Sequence, residues 1–205
     1  MQLILTTATP SNSVYIDSSG TKHYKVQTPF KVHDRTTTIS RAIDSDIPQR
    51  LSESSNQLEP HDADEDAKAD QIRFGSLAYI NWRVVESSVI HFCGRELETK
   101  SFLRKDGWGW YGRHRVFTAL DGKEYKWCLG AYTSQLRVND ATETLVARYK
   151  PKKFGLFSKP RKASLEISPP FEYMMDEILV TFVYIERLRK TKEYAAHSPT
   201  LFNKL

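Results

Sequence analysis

Cysteine is scarce in this chain of 205 residues, which holds only Cys93 and Cys128. Two cysteines so far apart match neither a disulfide framework nor the paired spacing of a zinc or redox site. Each lies in a stretch of strand-like residues, so both are predicted to be small, buried apolar side chains. The first ten residues, MQLILTTATP, also lack the basic segment and the long apolar run of a signal peptide. We therefore expect an intracellular, reducing compartment.

Catalytic motifs are missing as well. The chain has no P-loop, no dinucleotide fingerprint, no HExxH zinc motif and no nucleophile elbow. Its six histidines show no metal-ligand spacing, and His91 with Cys93 forms only a weak pair on one side of a strand. The sequence therefore predicts a protein that is not an enzyme and that uses no cofactor and no metal.

Long apolar runs are absent, and the most apolar segment is DEILVTFVYIERLRK, residues 176–190. Its uncharged part, Ile178 to Ile185, has eight residues, whereas a membrane-spanning helix needs about 20. A buried strand is one alternative, since several of these residues are β-branched. A helix is favoured because Pro169-Pro170 supplies a start signal, acids come first and bases last, and apolar residues surround the helical axis on every side. Such a helix must be enclosed by the rest of the protein.

Short strand patterns, separated by turn signals, fill most of the remaining chain. The clearest hairpin is RHRVFTALDGKEYKWCLG, in which the Asp-Gly pair at 121–122 signals a two-residue turn. This turn predicts that Thr118 faces Tyr125 on the core side and that Phe117 lies on the outer face. About ten such strands and one apolar helix predict a mostly β fold, an antiparallel β-barrel closed around the C-terminal helix.

Acidic charge is concentrated in residues 44–70, which hold nine acids, two bases and few large apolar side chains. A segment of this composition cannot bury enough apolar surface to offset its ordering entropy, so it is predicted to be a disordered insert. We expect one domain built from residues 1–43 and 71–196, with a flexible tail at 197–205. The chain carries +5 and the insert −7, so the rest carries +12, which suits an anionic partner.

Positive charge is densest in YKPKKFGLFSKPRK, residues 149–162, which contains no acid. Bases that flank a few large apolar side chains suit an anionic membrane surface, because the charges meet headgroups while the rings enter the interface. The alternative is a solvated hairpin loop whose phenylalanines fold back onto the barrel. The predicted lipid-binding residues are Lys150, Lys152, Lys153, Phe154, Phe157, Lys159, Arg161 and Lys162.

A second basic segment, LRKDGWGWYGRHR at residues 103–115, alternates glycines with aromatic residues. Glycine permits tight turns, and exposed aromatic rings can stack on nucleic-acid bases or lie at a membrane interface. The alternative is a loop at the end of the barrel whose aromatic residues plug the core. The candidate residues are Arg104, Lys105, Trp108, Trp110, Arg113 and Arg115.

The chain also resembles a domain family of unknown function that is widespread in mushroom-forming fungi. The likeness is carried by YKVQTPF, RTTTISR, FLRKDGWGWYGRHRVFT, DGKEYKW, LVARY, ASLEI and DEILVTFVYIERLRK. That family is similar to the tubby-like superfamily, which includes tubby C-terminal domains, phospholipid scramblases and plant LURP-one-related proteins. The resemblance implies a tubby-like barrel around a hydrophobic C-terminal helix and supplies no catalytic mechanism. Tubby domains bind phosphoinositides through basic residues, and the resemblance assigns none of those residues to a position of this chain.

These observations lead to one main functional hypothesis and two alternatives. The main hypothesis is a non-catalytic, tubby-like module that attaches reversibly to anionic phospholipid or phosphoinositide at a cytoplasmic membrane surface. One alternative is a nucleic-acid-binding module in which Trp108 and Trp110 stack on bases. The other is a protein-interaction adaptor that uses its loops. The oligomeric state is left open.

Overall fold

Thirteen β-strands and a long C-terminal helix make up the described part of the chain. The computed structural model describes residues 1–29, 35–43, 72–83, 86–155 and 159–197. The strands are β1 (Gln2–Leu5), β2 (Ser13–Ile16), β3 (Lys22–Gln27), β4 (Arg35–Ile43), β5 (Arg73–Trp82), β6 (Val89–Phe92), β7 (Arg95–Glu98), β8 (Arg104–Gly109), β9 (Gly112–Thr118), β10 (Glu124–Leu129), β11 (Ser134–Val138), β12 (Leu145–Lys150) and β13 (Ser164–Ile167). The short helix α1 (Thr99–Phe102) separates β7 from β8, a 3-10 turn (Pro169–Met174) follows β13, and α2 spans Met175–His197.

All thirteen strands belong to one antiparallel sheet, in the order β7-β6-β5-β4-β3-β2-β1-β13-β12-β11-β10-β9-β8. Strands that follow each other along the chain are neighbours in the sheet, except β7 and β8, which form its two edges. The first and last strands, β1 and β13, pair with each other and join the two halves, with Leu3 opposite Leu165. The prediction of a mostly β, antiparallel fold is therefore confirmed.

The predicted closure of this sheet into a barrel is wrong. Among the described residues no backbone ladder joins β7 to β8, so the sheet keeps two free edges. The chain passes from one edge to the other through α1 instead of a tight hairpin turn, and Thr99 and Leu103 are buried at this crossing. The sheet therefore has an open seam between β7 and β8.

The part of α2 from Glu177 to Glu186 is enclosed, as its apolar circumference predicts, whereas most of residues 191–197 are exposed. Val183 is only 1% exposed. Strands from both halves of the sheet reach the helix: the indole N–H of Trp127 in β10 donates to Thr181 Oγ1 at 3.1 Å, and the ring of Trp82 in β5 stacks on Tyr184 at 5.5 Å. The helix is confirmed, and the alternative of a buried strand is wrong. None of the helices in the described part of the chain has the length and apolar character needed to cross a membrane.

The β9–β10 hairpin forms with a register one residue away from the predicted one. Its loop has three residues, because the N–H of Gly122 donates to Ala119 O at 3.0 Å and Gly122 has a φ of 80°. As a result Tyr125 lies opposite Phe117, which is fully buried, and Thr118 faces outward. The placement of Phe117 on the outer face was therefore wrong, while Tyr125 is buried as expected.

The acidic insert leaves and rejoins the sheet at one place, because Ile43 at the end of β4 pairs with Arg73 at the start of β5. The predicted insert at 44–70 and the chain beyond His197 lie outside the described residues. The burial predicted for both cysteines is wrong for Cys93, which is exposed in the β6–β7 turn with a φ of 51°. Cys128 in β10 is partly buried.

Candidate functional site

Several loops and the last turns of α2 meet at one end of the sheet, which we name the basic end. It comprises the β8–β9 turn (residues 110–111), the β10–β11 turn (residues 130–133), the described parts of the β12–β13 loop (residues 151–155 and 159–163) and residues 186–197 of α2. The N–H of Trp110 donates to Leu129 O at 3.2 Å, and Arg189 Nη1 donates to Ala131 O at 3.3 Å. These bonds hold the first two turns and the helix together.

The β12–β13 loop carries the densest positive charge of the basic end. Lys150 at the end of β12 pairs with Ser164 at the start of β13. Beyond this point a second rung joins Lys153 and Arg161 through backbone bonds of 2.9 and 3.2 Å. The hairpin therefore extends past the end of the two strands.

Two of the predicted lipid-binding bases serve the hairpin itself. The ammonium of Lys150 pairs with the carboxylate of Glu166 in β13. Arg161 is partly buried, and its Nη2 donates to Pro151 O at 3.4 Å. The remaining four bases are exposed and form no ion pair within the described residues; they are Lys152, Lys153, Lys159 and Lys162.

Phe154 lies at the far end of this hairpin and is 82% exposed. Lys152 Nζ lies 4.7 Å from the centre of its ring, which is a cation–π distance. The alternative in which the phenylalanines fold back onto the sheet is therefore wrong for Phe154. Gly155 follows with a φ of 74°, a conformation that glycine adopts without strain. The other predicted aromatic residue, Phe157, lies outside the described residues.

The second basic segment is a hairpin of β8 and β9 and not an irregular loop. Trp108 and Trp110 are each 80% exposed, so the alternative in which they plug the core is wrong. The guanidinium of Arg113 lies 6.0 Å from the centre of the Trp108 ring. Gly109 packs so tightly that an added Cβ would lie 2.4 Å from Leu129 O, which explains why a glycine is needed at this turn.

The bases of this segment fall into two groups. Lys105 and Arg113 are exposed. Arg104 pairs with the carboxylate of Glu124 in β10. Arg115 is only 7% exposed, its Nη1 donates to the carbonyl of His114 at 3.1 Å, and burial lowers the pKa of its guanidinium. Arg115 therefore does not contribute to the surface of the basic end.

Two features of the basic end were not predicted from the sequence. Tyr132 in the β10–β11 turn is 81% exposed and adds a third ring to those of Trp110 and Phe154. Arg187 of α2 lies 4.0 Å above the ring of Trp82. The sequence indicates an exposed ring at Tyr132 only through its position in a short turn after Gly130. The turn has no charged residue, so it was not recognised as part of a basic surface.

The opposite end of the fold, beside the N-terminus of α2, carries acidic residues. They are Asp17, Asp121, Asp140, Glu143, Glu172 and Asp176. Partial burial raises the pKa of the Asp121 carboxyl, but the N–H of Lys123 and the hydroxyls of Tyr125 and Tyr173 outweigh it, so that the pKa is lowered overall. We name this the acidic end. The four exposed lysines of the β12–β13 loop and these six acids therefore lie at opposite ends of the fold.

Groups suited to catalysis or metal binding are few in the part of the chain that the structure describes. No cluster of three or more His, Cys, Asp or Glu side chains there could hold a metal ion. His114 Nδ1 accepts the N–H of Leu129 at 3.1 Å, and burial lowers the pKa of the imidazole. The ring therefore serves as a neutral acceptor that ties β9 to the end of β10.

Comparison with known proteins identifies a family but no function. No curated protein and no solved structure matches the chain. A family model described as a family of unknown function, DUF6593, matches residues 8–191, which include all the strands from β2 to β13 and most of α2. The chain therefore belongs to this family of unknown function.

Proposed function

We propose that this chain is a non-catalytic binding module that attaches reversibly to anionic phospholipid through its basic end. The observation that supports the proposal is the shared position of the four exposed lysines of the β12–β13 loop and the exposed rings of Trp110, Tyr132 and Phe154. The β12–β13 loop contains no acid, and the six acids of the acidic end lie at the opposite end of the fold. A local cluster of bases without acids orients this loop toward a negative surface.

The charges are sufficient for weak and reversible attachment. Each base near an anionic membrane contributes about 1 kcal/mol, so four lysines contribute about 4 kcal/mol. This free energy corresponds to a Kd of about 1 mM, which the insertion of aromatic rings into the interface would strengthen. Because the contribution of the lysines is electrostatic, binding should weaken as the salt concentration rises.

A sheet that curves around a buried C-terminal helix is also the arrangement that the resemblance to tubby-like proteins implies. On this basis we propose kinship with that superfamily, with the sheet open at one seam. The same kinship favours an intracellular protein that associates peripherally with the cytoplasmic face of a membrane. The ligand class that fits the exposed lysines and rings is an anionic phospholipid, with phosphoinositides as its most highly charged members.

Co-sedimentation with vesicles tests the proposal. The chain should bind vesicles of phosphatidylcholine and phosphatidylserine, should bind less at high salt, and should not bind phosphatidylcholine alone. Replacement of Lys152, Lys153, Lys159 and Lys162 by Glu should abolish this binding and leave the melting temperature nearly unchanged, because all four side chains are exposed.

A matched control changes the net charge by the same amount elsewhere. It replaces four exposed bases that form no ion pair within the described residues, namely Lys22, Arg73, Arg95 and Lys123, by Glu. This variant should retain most of the binding, because its substitutions lie far from the basic end. Equal binding to neutral and anionic vesicles, or equal loss of binding in the two variants, would contradict the proposal.

Single-stranded nucleic acid is a second candidate, because Arg113 lies beside the exposed ring of Trp108 and Trp110 is also exposed. A base that stacks on an aromatic side chain contributes about 1–3 kcal/mol. Fluorescence anisotropy with a labelled single-stranded oligonucleotide separates the two candidates. Tight oligonucleotide binding that is lost in Trp108→Ala and Trp110→Ala, together with no vesicle binding, would favour the nucleic-acid module.

A further inference from the structure

One inward-facing row of side chains crosses half of the sheet and ends in two bases. Residues that lie opposite each other on neighbouring strands share a face of the sheet. The row passes from Ile167 in β13 through Ala147, Leu136 and Trp127 to Arg115 in β9 and Lys105 in β8. Its four apolar members are at most 3% exposed. The row is therefore apolar and buried until it reaches the open seam, where it becomes cationic.

The two bases at the end of this row lack a balancing charge. Lys105 and Arg115 lie directly opposite each other, and like charges in this position destabilise a sheet. Arg115 is 7% exposed, and its described acceptors are the backbone carbonyls of Arg113 and His114. No carboxylate of the described residues contacts it. A buried cation normally has an ionic partner, because burial removes it from water.

The seam opens as a cleft of about 910 Å³ that both bases line. Lys100 of α1 is a third lining base without an ion pair in the described part of the chain, and Thr99 and Tyr184 add hydroxyl groups. Two other lining bases are already paired: Arg83 with Glu86 at 2.7 Å, and Arg104 with Glu124, which lies outside the cleft. One exposed lining acid, Glu98, forms no ion pair within the described residues, so Lys100, Lys105 and Arg115 exceed it by two positive charges.

We propose that this cleft binds a phosphate group, held by Arg115, Lys105 and Lys100. A guanidinium presents parallel donors that fit two oxygens of a phosphate, while a lysine ammonium acts as a point charge. A phosphate monoester carries a charge of about −1.5 to −2, which matches three bases better than a single carboxylate does. The proposal does not depend on lipid attachment through the basic end, because the lysines of the β12–β13 loop do not line the cleft.

Thermal unfolding with inorganic phosphate and with pyrophosphate tests the proposal, with sodium chloride at the same ionic strength as reference. A ligand that binds only the folded chain raises its melting temperature. We expect both anions to raise the melting temperature of the wild type. Loss of one charge-assisted contact in Lys105→Met should raise the Kd about tenfold. Lys105 is exposed, so this variant should fold, and Lys123→Met removes the same charge from the β9–β10 turn and should bind as the wild type does. Arg115→Gln should abolish the effect.

A second arm of the experiment distinguishes a lipid headgroup from a soluble phosphorylated ligand. In this arm, vesicles of phosphatidylcholine and a phosphatidylinositol phosphate replace the free anions. Vesicle binding that Lys105→Met weakens, without a response to free phosphate or pyrophosphate, supports the cleft as a headgroup site. A response to the free anions that Lys105→Met weakens supports a soluble phosphorylated ligand. If Lys105→Met and Lys123→Met behave alike in both arms, the proposal is overturned, even where the wild type binds vesicles through its basic end.

Discussion

Replacement of Arg189 by Met should remove the partner of a buried carboxylate inside the fold. Glu186 is 1% exposed and Arg189 is 3% exposed. Arg189 Nη2 donates to Glu186 Oε1 at 2.7 Å, and Ser134 Oγ donates to Glu186 Oε2 at 2.8 Å. In Arg189→Met the carboxylate keeps only the hydroxyl donor. Breaking a buried ion pair on one side costs about 3–5 kcal/mol. For a chain of this length each kcal/mol lowers the melting temperature by about 2–4 °C, so we expect a fall of about 6–20 °C.

Urea unfolding at neutral pH, followed by tryptophan fluorescence, measures this loss as a free energy of unfolding. The double variant Glu186→Gln with Arg189→Met replaces both charges by neutral groups of similar shape and should recover most of the stability. A loss below about 1 kcal/mol in Arg189→Met would refute the reasoning, because a desolvated and unpaired carboxylate cannot be that harmless. A double variant less stable than the single one would refute it too.

Two further changes test other parts of the fold. Burial raises the pKa of the Glu177 carboxyl, so its contribution to stability is fully present below the unfolded pKa and is lost as the pH rises through the folded pKa. Glu177→Gln keeps an acceptor for the N–H of Leu120 and should therefore melt above the wild type at pH 8 and close to it at pH 4; a lower melting temperature at pH 8 would contradict this. Val183→Asp buries an unpaired carboxylate inside the sheet and should unfold the chain, whereas Val183→Thr has nearly the same shape and should lose only about 1–3 kcal/mol. Thermal melts followed by circular dichroism compare these two variants. A Val183→Asp chain that folds and melts at the same temperature as Val183→Thr would contradict the expectation.

Helix α2 could be predicted from the sequence because its signals are local. The proline pair at 169–170 falls in the 3-10 turn that precedes it, and the acids Asp176 and Glu177 lie in its first turn. Apolar side chains on every side of the helical axis imply enclosure without any knowledge of the strands. The enclosure of Val183 follows from this pattern alone.

The register of the β9–β10 hairpin and the open seam could not be predicted in the same way. An Asp-Gly pair fits a two-residue turn as well as the end of a three-residue loop with glycine in the left-handed conformation, which is the loop that Gly122 forms. A shift of one residue exchanges the two faces, and Phe117 moved inward for this reason. Closure depends on pairing between β7 and β8, and the residues between them form α1 instead of a turn.

The candidate surface was predictable in its parts but not in its arrangement. The lysines around Phe154 and the rings of Trp108 and Trp110 are visible in the sequence as two separate basic segments. Their common position follows from strand direction, since the β8–β9 turn and the β12–β13 loop both leave the sheet where the C-terminal half of α2 lies. The direction of each strand depends on its pairing with other strands, so the shared location of the two segments cannot be predicted from either segment alone.

An unpaired base at the surface and an unpaired base in the interior have different energetic costs. Exposed lysines such as Lys152 and Lys153 remain in water, and leaving them unpaired costs little, so their exposure alone is weak evidence of a ligand. Attachment through the basic end is supported instead by the three exposed rings at that end, of which Phe154 lies beside Lys152, because grouped rather than single exposed apolar side chains indicate an interaction surface. Arg115 is the reverse case, because burial makes the lack of a partner costly. The two proposals therefore rest on different physical grounds. Vesicle binding that needs the β12–β13 lysines, with Lys105→Met and Lys123→Met alike toward vesicles and free phosphate, would leave the first standing and remove the second.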